Sequence, residues 1–96
     1  MPTYVPLQVP VDAVQWSGEE MTDKEVEREL GIRGKIEYIK SYETRDKFRY
    51  HLNVETPDGI VFARPGDYIV KKGTDRRYQL IVMEASEFEV DYTQIG

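Results

Sequence analysis

Two turn signals lie close together in residues 54–70, and they constrain the fold more than any other stretch of the sequence. In each signal a proline is followed within two residues by a glycine, first at Pro57 and Gly59 and then at Pro65 and Gly66. Proline fixes φ at about −65° early in a turn, and glycine accepts the positive φ that follows. Short apolar segments flank both turns. The pattern predicts three antiparallel strands joined by two tight turns, which is a meander.

The segments around these turns show which faces the strands present. Residues 48–56 alternate cleanly between apolar or aromatic and polar side chains, so one face is expected in the core and the other in solvent. Residues 60–63 are apolar on both faces, which predicts a central strand covered by a helix. The predicted meander spans residues 48–72. Further strands are predicted over residues 9–16, 35–41 and 78–83.

The strongest helix signals begin at Thr22, a natural N-cap residue. Glu25 follows three residues later and completes a capping box. Gly31 can take the left-handed conformation that ends a helix. Val26 and Leu30 form only a narrow apolar stripe. The helix is therefore predicted to lie on a sheet with most of its surface in solvent and an acidic exposed face.

These elements predict one domain over residues 1–96 with an α+β fold, a twisted antiparallel sheet of five to six strands with one helix packed on a face. Residues 84–92 fit a short helix and a terminal strand equally well. Trp16, the only tryptophan, is predicted to anchor the core and to donate its indole N–H to a carbonyl. The predicted core contains Val26, Leu30, Leu52, Val54, Ile60, Phe62, Ile69 and Leu80.

The charge of the chain is unevenly distributed around a net value of −5. Acids dominate residues 19–29 and 84–91, whereas bases outnumber acids between residues 33 and 83. An acidic surface repels phosphate backbones, so nucleic-acid binding is disfavoured and a protein partner is favoured. The predicted protein-binding residues are Glu19, Glu20, Asp23, Glu25, Glu27 and Glu29.

Motifs that carry chemistry are missing from the sequence. It contains no cysteine, no phosphate-binding loop, no serine nucleophile motif and no histidine pair. His51, the only histidine, falls on the polar face of its strand and is interpreted as a solvated side chain. We therefore predict a non-enzymatic protein without a catalytic, cofactor or metal site. The sequence also shows no signal peptide and no apolar run of about 20 residues, which predicts a soluble intracellular protein with no membrane contact.

Several motifs occur in an order that resembles a known family. They are A-V-Q-W at residues 13–16, T-x-x-G at residues 56–59, P-G-D-Y-I-V at residues 65–70 and F-x-x-x-Y at residues 88–92. In this order the chain resembles a family of small proteins encoded by tailed bacteriophages and prophages. The final hairpin, residues 76–83, is longer and more strand-like than in that family. The resemblance implies a phage accessory protein acting in the cytoplasm of an infected host, and it implies no chemistry.

The leading functional hypothesis is a phage-encoded, non-enzymatic accessory protein that binds a host or phage protein and inhibits a host enzyme or defence system. The acidic helix and tail would complement a basic partner, with more effect on association rate and specificity than on affinity. The alternative is a structural or assembly component that forms a small homo-oligomer by pairing its strand edges.

Overall fold

The structure, a computed structural model, has an α+β fold, as the sequence predicts. It describes residues 3–5, 11–18, 21–42, 44, 48–74 and 76–95. The elements are, in chain order, β1 (Thr3–Val5), β2 (Asp12–Gln15), α1 (Asp23–Leu30), β3 (Ile36–Tyr42), β4 (Phe48–Thr56), β5 (Gly59–Ala63), β6 (Tyr68–Gly73), β7 (Tyr78–Met83), α2 (Ala85–Asp91) and β8 (Thr93–Ile95).

The strands of the described part divide into separate sheets. An inner sheet has the order β2–β6–β7, an outer sheet has the order β3–β4–β5, and β1 pairs with β8. All pairs are antiparallel. The prediction of a single sheet of five to six strands with one helix is therefore wrong. The predicted meander is also wrong, because β5 pairs only with β4 in this part of the chain and β6 pairs with β2 and β7.

The corner between β5 and β6 explains why the meander divides. The predicted turn is present, since Asp67 donates its backbone N–H to the Arg64 carbonyl at 3.0 Å and Gly66 has a φ of 97°. The corner is also bonded to the end of β2. Gly66 donates to the Trp16 carbonyl at 2.8 Å, and Trp16 donates to the Asp67 carbonyl at 2.9 Å. These bonds direct β6 into the inner sheet and leave β5 at the edge of the outer sheet.

Two clusters of buried side chains define the layers. The larger cluster joins the inner face of the outer sheet, one face of the inner sheet, and α1. The smaller cluster lies between the opposite face of the inner sheet and α2. The inner sheet is therefore covered on both sides, and the outer face of the outer sheet faces solvent. Six of the eight predicted core residues are buried, namely Val26, Leu30, Leu52, Val54, Ile69 and Leu80.

The other two predicted core residues are on the surface. Ile60 is 65% exposed and Phe62 is 61% exposed. The prediction of a central β5 beneath a helix is wrong, because α1 packs on β2 and β3 instead. An apolar segment predicts burial on both faces, whereas β5 has one covered face and, among the described strands, one paired edge.

Trp16 confirms its predicted role as a core anchor. Its side chain is fully buried in the larger cluster, and its indole N–H donates to the Met21 carbonyl at 2.6 Å. Its ring packs in a T-shaped arrangement with that of Tyr38 of β3, with the ring centres 6.2 Å apart. Trp16 therefore links the end of β2 to the start of α1 and to the outer sheet.

The predicted signals bound α1 at both ends. The Thr22 hydroxyl accepts the Glu25 backbone N–H at 3.4 Å, and Gly31 is left-handed with φ 69°. A further contact at the C-terminus comes from Lys71 of β6, whose side chain is only 3% exposed. Its ammonium donates to the Leu30 carbonyl at 2.8 Å. A cation at this end of a helix also interacts favourably with the helix dipole.

Helix α2 settles the alternative left open for residues 84–92. The segment forms a helix, in which Phe88 and Tyr92 stack with their ring centres 4.9 Å apart. The Tyr68 ring of β6 stacks on the other side of Phe88 at 4.0 Å. These three aromatic rings attach α2 to the inner sheet.

The bond from Lys71 can be tested by replacing Lys71 with methionine, which keeps a long unbranched side chain but removes the donor. The Leu30 carbonyl then loses its partner at a buried site, so we expect the free energy of unfolding to fall by about 1–3 kcal/mol. Urea denaturation measures the change. The matched control is Lys72→Met, at an exposed position of the same strand, with an expected change below about 0.5 kcal/mol. Equal stability of the two variants would contradict the assigned role.

Candidate protein-binding surface

The acidic residues of α1 do not form one continuous exposed face. Glu25 and Glu29 are exposed, and Asp23 is half-buried, with its carboxylate accepting the Lys24 backbone N–H at 2.8 Å. The remaining predicted binding residues before the helix, Glu19 and Glu20, lie outside the described residues. The part of the predicted acidic surface that the structure describes is therefore small.

Glu27 requires a correction, because its side chain is buried rather than displayed on the acidic face. The residue is 5% exposed, and its carboxylate accepts the Lys35 backbone N–H at 3.0 Å. The Lys24 ammonium lies 3.6 Å from the same carboxylate. Glu27 thus holds the segment between α1 and β3 against the helix. A carboxylate occupied in this way is not available to a partner protein.

The outer face of the outer sheet is the more distinctive surface. Register places Glu37, Asn53 and Phe62 side by side across this face, and Ile60 lies beside Glu55. The Phe62 ring also rests against the half-buried His51, with the ring centres 4.6 Å apart. This surface is not evident from the sequence, whose pattern predicts Ile60 and Phe62 in the core.

Exposed apolar side chains concentrate in β5. Within the described residues, the exposed large hydrophobic side chains are those of Ile60, Val61, Phe62 and, on α2, Val90. Strand β5 contains neither proline nor a charged residue. Such residues commonly protect the edge strands of natural sheets from pairing with other chains. Without this protection, the edge of β5 is suited to accept another strand.

The backbone of β5 also faces outward at its apolar positions. Glu55 donates its N–H to the Lys35 carbonyl, on the β3 side of β4, at 2.9 Å. Its partner across the ladder, Ile60, is therefore in a non-hydrogen-bonded pair, and its own N–H and C=O point away from β4. Phe62, two residues further along, has the same orientation. Both residues present a donor and an acceptor at the open edge.

Shallow grooves lie on either side of the β4–β5 hairpin. One, of about 350 Å³, runs between the hairpin and β7 and is lined by Asp58, Val61, Gln79 and Ile81, among others. The other, of about 200 Å³, is lined by Lys35, Glu55 and Tyr78, among others. Lys35 and Glu55 form an ion pair at 3.7 Å across the mouth of the second groove.

Among the described residues, no three or more His, Cys, Asp or Glu side chains are grouped so that they could hold a metal ion. No helix in the same part of the chain has the length and apolar character needed to cross a membrane.

Comparisons with known proteins give no family for the chain. No protein-family model matches it, and no curated protein and no solved structure is significantly similar to it.

The structural role of Glu27 predicts that replacing it destabilises the protein more than replacing Glu29 on the same helix. Glu27→Ala leaves the Lys35 N–H without its acceptor at a part-buried site, so we expect a loss of about 1–3 kcal/mol in the free energy of unfolding. Glu29→Ala, at an exposed position of the same helix, should change it by less than about 0.5 kcal/mol. Urea denaturation of both variants measures the difference, and equal stabilities would show that Glu27 is not a structural anchor.

Proposed function

We propose that this chain is a non-enzymatic protein-binding module, and that its contact surface is β5 together with the adjoining outer face of the outer sheet. The observation that carries the proposal is the exposure of Ile60 and Phe62 on an edge strand that has no charged residue. Contiguous exposed apolar side chains on a small protein are a feature of interaction sites.

The edge and the face would act together in binding. An incoming strand can pair with the outward N–H and C=O groups of Ile60 and Phe62, as in other complexes formed by strand addition. The side chains of the same two residues, with His51 beside Phe62, would supply apolar contact. Backbone pairing provides affinity in this mode, and side-chain contacts provide specificity.

The acidic residues of α1 have a secondary place in this proposal. Glu25 and Glu29 are exposed and can attract a basic partner over a distance, which raises the association rate more than the affinity. The resemblance to phage and prophage proteins supports a partner in the bacterial cytoplasm, either a host enzyme or defence protein or another phage protein. A small homo-oligomer is the alternative, and the unprotected edge of β5 favours it specifically.

The proposed surface is tested with Phe62→Lys, which places a charge among the exposed apolar side chains of β5 without altering a buried position. We expect it to retain the circular dichroism spectrum of the wild type and to lose association with its partner. A tagged chain is used to capture proteins from a bacterial lysate at low and moderate salt, with identification by mass spectrometry.

The matched control is Val90→Lys, because Val90 is 84% exposed on α2, away from the outer sheet. This variant should keep every association of the wild type. If Phe62→Lys and Val90→Lys behave alike, β5 is not the contact surface. Loss of association at moderate salt in the wild type would assign the main contribution to charged residues instead.

A further inference from the structure

We propose that the partner of β5 is β5 of a second copy of this chain, paired antiparallel about a two-fold axis that passes beside Val61. This inference rests on the proposed function, since it names the occupant of the same surface. The two outer sheets would join into one continuous sheet of six strands, with the order β3–β4–β5 followed by β5–β4–β3 of the second copy.

The backbone hydrogen-bonding groups of β5 are already oriented for this pairing. The outward N–H and C=O groups belong to Ile60 and Phe62. The axis passes between Val61 of one copy and Val61 of the other. Ile60 then lies opposite Phe62 of the second copy, and each such pair exchanges two hydrogen bonds. The symmetry repeats the pair, so all the outward groups of these two residues are satisfied.

The same register brings apolar side chains together on both faces. On the outer face, Ile60 and Phe62 of each copy form one cluster of four side chains, which removes the most exposed apolar surface of the outer sheet from water. On the inner side, Val61 meets Val61 of the second copy above the groove between the hairpin and β7. Residues in contact with their own equivalents are expected at a two-fold interface.

Charge complementarity selects this register over its neighbours. Arg64 follows β5 by one residue, and Asp58 precedes it by one, so the pairing places Arg64 opposite Asp58 of the second copy, twice. Both side chains are exposed, and within the described residues neither forms an ion pair. Sliding the strands by two residues places Arg64 opposite Thr56 or Ile60, and the charge match is lost.

The other edge strands of the two sheets fit such a pairing less well. Strands β2 and β3 contain charged residues, namely Asp12 in the first and Glu37 and Lys40 in the second. Strand β7 is uncharged, but its apolar side chains are buried or half-buried. Among the described edges of the inner and outer sheets, β5 alone combines an uncharged sequence with exposed apolar side chains.

Cysteine cross-linking tests the register directly, because the chain has no native cysteine. Val61→Cys places two thiols opposite each other in a non-hydrogen-bonded pair, where the Cα separation suits a disulfide. With oxidised glutathione as the oxidant, we expect a disulfide-linked dimer on a non-reducing gel. Ile60→Cys is the matched control, since Ile60 is more exposed than Val61 but faces Phe62 of the second copy, and it should remain largely without a disulfide cross-link on the same gel.

Charge exchange tests the same register without oxidation. Asp58→Arg and Arg64→Asp each create two like-charge contacts in the homodimer, so we expect dissociation constants from sedimentation equilibrium to rise about tenfold or more. An equimolar mixture of the two variants restores both opposite-charge contacts in the heterodimer, and the double variant restores them in the homodimer. Both should return to the affinity of the wild type. Circular dichroism establishes that each variant is folded. Asp58→Asn and Arg64→Gln are milder substitutions, because each removes a charge without creating a like-charge contact.

The outcomes separate this inference from the proposed function. A wild-type chain that stays monomeric at every concentration, or equal cross-linking at positions 60 and 61, overturns self-pairing. If the monomer still captures a different protein, and Phe62→Lys abolishes that capture, the binding surface stands with another occupant. If Phe62→Lys changes neither the solution mass nor the capture, both proposals fail.

Discussion

The bond from Lys71 to the Leu30 carbonyl is the buried polar contact that ties α1 to the inner sheet. It joins the central strand of the inner sheet to the end of α1 across 41 residues of sequence. The ammonium also lies 5.3 Å from the centre of the Tyr78 ring, which further compensates for its removal from water. Because α1 packs on β2 and β3, neither of the two helices in the described part of the chain covers the outer face of the outer sheet. The exposure of β5 thus follows from the position of this helix together with the corner bonds to Trp16 that leave β5 at the edge of its sheet.

Features specified by a few neighbouring residues could be predicted from the sequence. The cap at Thr22, the left-handed Gly31 and the alternation of β4 all appear in the structure, as does the carbonyl partner of the Trp16 indole. Each depends on residues within about one or two turns of chain, where propensity and steric preference act directly. The α+β class follows from these local elements.

Features that depend on distant parts of the chain could not be predicted in this way. No residue near Pro65 indicates that the corner bonds to Trp16. The sequence therefore predicts β5 and β6 in one sheet, whereas the structure has them in two. The sequence does not distinguish Glu27 from its exposed neighbours, because its burial depends on the bond to the distant Lys35 N–H. The apolar sequence of β5 suits a buried strand and an edge strand that pairs with another chain equally well. Only the topology of the sheets distinguishes a buried strand from an edge strand here, so the candidate surface is not evident from the sequence.

The position of Trp16 has a practical consequence for following these layers in solution. It is the only tryptophan in the chain, and its ring is fully buried where β2, α1 and the outer sheet meet. Its intrinsic fluorescence therefore originates from a single junction and needs no added label. A red shift in emission on denaturation would mark the entry of water between the two sheets and α1, separately from any event at the solvent-facing side of β5.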